Sequence, residues 1–135
     1  MKASNLLKIL GLLFLTLFVS CSDNDDSSDQ NLIGTWSWVS SSGGIAGITE
    51  TPASTGKNID LKFTSDGHYF YYTNGTISSQ GTYMFSTQKS ILDGKNKRSI
   101  VFSANGEMII DQIDSTNLYL SDNYYDGFGS SYIRK

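Results

Sequence analysis

Few side chains in this chain can do chemistry, and that limits its functions from the start. Among 135 residues there is one histidine, His68, and one cysteine, Cys21. A Ser–His–carboxylate grouping would have to use His68, and Ser and Asp are plentiful, but the sequence holds no Gly-x-Ser-x-Gly elbow. His68 also follows the turn Ser65-Asp66-Gly67, which puts it at a strand end beside a turn, where a single histidine is an ordinary surface residue. One His and one Cys make a zinc centre improbable. Asp122-Asn123-Tyr124-Tyr125-Asp126-Gly127 offers oxygen atoms to calcium, but it completes no calcium pattern and reads as turn chemistry. A calcium loop opening at Asp23 needs Gly at its sixth position and Glu at its twelfth, where Ser28 and Gly34 stand. The expectation is a non-enzyme with no metal and no cofactor.

Aromatic side chains remain as the abundant resource. They are 13% of the chain, against only 17% charged residues, which excludes a chain too polar to order itself. Net charge is −3, so there is no basic footprint for nucleic acid. A single cysteine excludes a disulfide framework. Trp36, Trp38, Tyr69, Tyr71 and Tyr83 are the candidate ligand-contacting set, because they lie on predicted strands and exceed what a plain core needs. The competing expectation for them is a core filled by rings, with cross-strand aromatic pairs on the other face.

Residues 1–20 read as an address. Lys2 and Lys8 precede an apolar run from Ile9 to Val19, too short to cross roughly 30 Å of hydrocarbon as a helix. The run ends in Phe18-Val19-Ser20-Cys21 and then turns polar. That ending resembles the lipobox of bacterial lipoproteins, which implies acylation of Cys21 as the mature N-terminus and a membrane partner reached through acyl chains. Cleavage takes two of the ten basic residues and none of the 13 acidic ones, which moves net charge from −3 to −5. Residues 21–31 then form the acylated Cys and an acidic tether, with no apolar residue from Ser22 to Gln30. The acids after Cys21 resemble the export signal of Bacteroidetes-type lipoproteins, which implies an outer-membrane protein facing the cell surface.

Residues 32–135 have to make one domain, and the pattern predicts an all-β one. Short alternating runs recur between turn residues: Trp36 with Trp38, Ile45 with Ile48, Ile59 to Thr64, His68 to Thr73, Thr76 to Ser86, Ile100 to Ser103, Glu107 to Ile113, Leu118 with Leu120, and Ser130 to Arg134. Ser65-Asp66-Gly67, Asn74-Gly75 and Asn105-Gly106 are hairpin turns. Eight or so strands joined by tight hairpins form an up-and-down antiparallel meander, and closing it into a barrel removes two exposed edges. Trp36, Leu61, Phe63, Tyr83 and Leu120 occupy the inward phase. Asp60, Lys62 and Thr64 alternate with that set, which excludes a barrel whose outside faces lipid.

Leu32-Ile33-Gly34-Thr35-Trp36, Leu61 to Tyr69 and Gly81-Thr82-Tyr83 resemble the small lipocalin-like domains of bacterial lipoproteins. The resemblance implies a barrel closed at one end by Trp36 and a carrier of a small apolar or amphipathic ligand. The alternative expectation is a filled barrel that presents a surface to a protein or glycan partner. Asp114-Ser115-Thr116 resembles an O-glycosylation acceptor of Bacteroidetes-type periplasms, which would modify Ser115.

Overall fold

Turn chemistry sets the strand boundaries. Asn74 and Gly75 both take positive φ, 51° and 82°, as a two-residue hairpin of the primed type requires. The computed structural model describes residues 26–135. The leader over residues 1–20, the acylation candidate Cys21 and the start of the tether lie outside the described residues. The elements are α1 (Asp26–Leu32), β1 (Gly34–Gly43), β2 (Ile48–Glu50), α2 (Pro52–Thr55), β3 (Ile59–Phe63) and β4 (His68–Thr73). They continue with β5 (Thr76–Lys89), β6 (Asn96–Phe102), β7 (Gly106–Ile113), β8 (Asn117–Ser121) and β9 (Phe128–Arg134).

The sheet runs β2-β1-β3-β4-β5-β6-β7-β8-β9, every pair antiparallel, and β1 also pairs with β9 from Trp36↔Arg134 to Gly43↔Phe128. That last pairing closes eight strands into a barrel, with β2 as one extra strand on the far half of β1. The expected all-β meander is therefore the fold, and it is a closed barrel.

Period two then decides what goes inside. Trp36, Leu61, Phe63, Tyr69, Ile100 and Leu120 are at most 1% exposed and share one core. Rings interlock edge to face, with centroids 4.9 Å apart for Phe63–Tyr83 and for Tyr69–Phe102. Tyr69 fits because its register partner is Gly81. A Cβ there would stand 3.1 Å from Cε1 of Tyr69 and 2.2 Å from Oγ of Ser103.

One end of the barrel is sealed. Trp36 donates its Nε1–H to the carbonyl of Leu32 at 2.9 Å, and the Arg134 guanidinium lies 4.3 Å over the Trp36 ring. Arg134 also donates to the carbonyls of Ile33 (2.9 Å), Ser115 (2.7 Å) and Asn31. A cation and an indole thus satisfy the chain at the carboxyl end of α1, where helical carbonyls lack intrahelical partners. Asp29 pairs with Arg98, whose guanidinium lies 4.6 Å over Phe85.

Two expectations are corrected here. The stretch read as tether up to residue 31 is helical from Asp26. Its polar residues gave no burial signal, and what fixes the helix is the barrel's end: Leu32 is fully buried, and Arg134 and Trp36 hold the carbonyls around it. The second strand begins at Ile48, with Ile45 in the turn and 91% exposed.

Candidate functional site

A hydrogen-bonded row of side chains leads from Trp38 on β1 to the last strand. Trp38 donates its Nε1–H to Oγ of Ser41 at 2.8 Å, possible because the bulge after Trp38 turns Ser41 to the same side. Oγ of Ser41 lies 2.7 Å from Oγ of Ser130. The Tyr132 hydroxyl lies near those of Ser130 and Tyr71. Burial pushes the Tyr71 hydroxyl well above the ordinary phenol value and raises that of Tyr132, so both are protonated and uncharged at neutral pH.

Trp38, Ser41, Tyr71 and Tyr132 line a cavity of about 270 Å³ at the end of the barrel opposite Trp36. Trp38, Tyr71, Tyr132 and Ile59 supply its aromatic and apolar surface. Ser79 and Asn105 close a second side, joined by a 2.9 Å bond from the Ser79 hydroxyl to Oδ1 of Asn105. Lys57 and Glu50, one charge of each sign, stand at the entrance beside α2. The segment 51–58 is positioned by a capping box between Thr51 and Ser54, with Pro52 opening α2. Below the cavity the hydroxyl of Tyr69 is fully buried and has no hydrogen-bond partner, an arrangement that costs about 1–3 kcal/mol.

Of the five aromatics singled out, Trp38 and Tyr71 reach this cavity. Trp36 and Tyr69 are at 0% exposure in the packed interior, and half-buried Tyr83 packs on Phe63 while its hydroxyl donates to the carbonyl of Thr64 at 2.9 Å. Sequence reasoning missed Tyr132, Asn105 and Lys57 as companions of Trp38. Tyr132 carried a usable signal, since it stands two residues before Arg134 on the strand that closes the barrel.

Elsewhere the polar clusters are occupied with local structure. Nδ1 of His68 lies 3.3 Å from Asp66 at the exposed β3–β4 turn. Oδ2 of Asp122 accepts from the Tyr124 hydroxyl at 2.8 Å and from the Phe128 N–H at 3.0 Å, which makes residues 122–128 a braced loop. Among the described residues no group of three or more His, Cys, Asp or Glu could hold a metal ion. Ser115 sits exposed at the tip of the β7–β8 turn. A larger hollow, about 420 Å³, lies over the outer sheet face at Ser40, Ser42 and Ser131, where the hydroxyls of Ser40 and Ser131 bond each other at 2.9 Å. No helix among the described residues is long and apolar enough to cross a membrane.

No family model matches the chain, and neither a curated protein nor a solved structure matches it.

Proposed function

We propose that this chain is a lipocalin-like lipoprotein of a bacterial outer membrane, anchored through acylated Cys21, that holds a small amphipathic ligand and catalyses no reaction. The observation that carries the reading is the cavity at one end of a closed barrel, aromatic on one side and hydroxyl-lined on the other. The lower half of the barrel is filled by Phe63, Tyr69 and Phe102, so a ligand would enter only from the Trp38 end. At about 270 Å³ the site is smaller than pockets that enclose drug-sized molecules, roughly 300–1,000 Å³. That favours a compact ligand over a long acyl chain.

Native mass spectrometry of the acylated protein extracted from membranes tests this. A small molecule should be retained by the wild type and lost in Trp38→Ala, while Met84→Ala, on the exposed outer face of β5, retains it. Retention unchanged in Trp38→Ala would overturn the assignment of the cavity. The anchor is tested separately: Cys21→Ser should move the protein from the membrane fraction to the aqueous one, because two or three acyl chains hold stably where one does not.

A second reading is favoured by a different surface. Ile91 and Leu92 from the β5–β6 loop, and Tyr124 and Tyr125 from the β8–β9 loop, are exposed. The two loops are tied together by Asn123, which bonds Ile91 N–H at 2.9 Å and Gln88 Oε1 at 2.8 Å. Such a braced apolar patch suits a protein or glycan partner. Charge substitutions at Leu92 and Tyr125 should abolish partner capture if this patch is the functional one, and leave the cavity ligand in place.

A further inference from the structure

We propose that the apolar patch on the β5–β6 and β8–β9 loops sits in the lipid interface of the membrane that holds Cys21, an inference that rests on the anchor reading and adds a second contact to it. The first support is where the chain enters the fold. Carbonyls at the carboxyl end of α1 are held by Trp36 on β1 and Arg134 on β9, while Asp29 is held by Arg98 on β6. Helix α1 therefore crosses the sealed end of the barrel from the β1–β9 seam toward β6, and its amino end lies on the β6 side. Strand β6 begins at Asn96, directly after the loop that carries Ile91 and Leu92, and Asn123 ties Tyr124 and Tyr125 to that loop. Only four residues stand between Cys21 and Asp26. An acyl anchor there keeps a bilayer beside this flank at all times, and a tethered contact needs little affinity of its own. A patch of four side chains is small for a protein interface, which takes roughly 800 Å² from each partner.

The second support is how the β5–β6 loop treats its own backbone. The N–H groups of Ser90 and Gly94 donate to the carbonyls of Lys95 (2.8 Å) and Ser90 (2.9 Å). Those of Ile91, Leu92 and Lys95 donate to Oδ1 of Asn123 (2.9 Å), Oγ of Ser90 (3.3 Å) and Oδ1 of Asp93 (3.1 Å). Five of the six amides from Ser90 to Lys95 are thus satisfied by the protein itself. Water would serve a loop in solution, whereas a loop against lipid has to pair these groups internally. The apolar groups are turned out: Leu92 is 68% and Tyr125 78% exposed, while Ile109 beneath the two loops is buried. Tyrosine, an apolar ring with a polar tip, suits the headgroup boundary. Lys97 lies 3.6 Å from Asp93 and 3.5 Å from Asp111, and Lys89 and Lys95 stand against Asp122 and Asp126. The rim is close to neutral, so burial of apolar area, and not charge, draws it to lipid.

The test places the isotope-labelled acylated protein in nanodiscs of phosphatidylethanolamine and phosphatidylglycerol, with and without lipid that carries a nitroxide on its acyl chain. Ile45 is the control, apolar and fully outward in the β1–β2 turn at the other end of the barrel. The nitroxide should remove at least three times more signal from the Leu92 methyls and the Tyr125 ring than from the Ile45 methyls. Leu92→Asp combined with Tyr125→Asp, both on the surface, should relieve the loss at Ile91 and leave the rest of the spectrum in place. A loss at Leu92 no greater than at Ile45, in protein whose intact mass shows acylated Cys21, would overturn the lipid contact and keep the anchor. A mass without acyl chains would overturn the anchor reading and this proposal together. Protection of a Leu92→Cys thiol from a water-soluble maleimide in cell envelopes, with no signal loss in nanodiscs, would assign the patch to a protein partner and overturn the lipid assignment.

Discussion

Asp114 illustrates how a single half-buried side chain organises a turn. Its Oδ1 accepts from the N–H groups of Thr116 (2.8 Å) and Asn117 (2.7 Å), and Gln112 donates to Oδ2 at 3.0 Å. Those backbone bonds, with the Gln112 bond, hold its carboxyl well below the ordinary carboxylate value. A depressed folded value means that the stabilisation is complete above the unfolded value of about 3.9 and is lost as pH falls through the folded one. Asp114→Asn should therefore lower the urea midpoint at pH 6 and flatten its decline between pH 4 and pH 2. Parallel acid profiles for variant and wild type would show that the turn does not depend on the charge. At Trp36 the issue is volume. Truncation to Ala should cost about 3–5 kcal/mol, whereas Lys62→Ala, outward on the neighbouring strand, should stay within about 0.5 kcal/mol. Equal denaturation midpoints would contradict the inward phase of β1.

At the scale of elements, the strands were legible and their companions were not. His68–Thr73 and Glu107–Ile113 could be read almost to the residue because alternation and a hairpin turn agreed at each boundary. The closure of β1 on β9 could be argued only from the need to hide edges, since pairing partners some hundred residues apart leave no local pattern. The same distance hid the cavity. Trp38 and Tyr71 could be named as aromatics on strands, but Tyr132 and Asn105 join them only once the register of the barrel is set. Helix α1 escaped for a related reason, because its stabilising groups, Trp36 and Arg134, come from other elements. The β4–β5 pairing carries its own prediction. Gly81→Ala must displace Ser103 or the Tyr69 ring, and overpacking of this kind costs about 1–3 kcal/mol. A thermal midpoint unchanged from wild type would mean that the two side chains move aside freely.

For the whole molecule, the two ends of the barrel are unlike, and α1 belongs to one of them. Four residues separate Cys21 from Asp26, and the five extended steps between them reach about 18 Å at most. Under the proposed anchor, this short leash fixes a heading. The Trp36 end is drawn down to the bilayer, and the entrance beside Trp38 looks outward to the surrounding fluid. A dye at Ser65→Cys, in the β3–β4 turn, should transfer energy to labelled lipid headgroups more efficiently than one at Thr76→Cys, beside the β4–β5 turn. The reverse ranking would invert the heading. A receptacle held this way samples the medium and not the membrane beneath it, so whatever it collects must arrive dissolved.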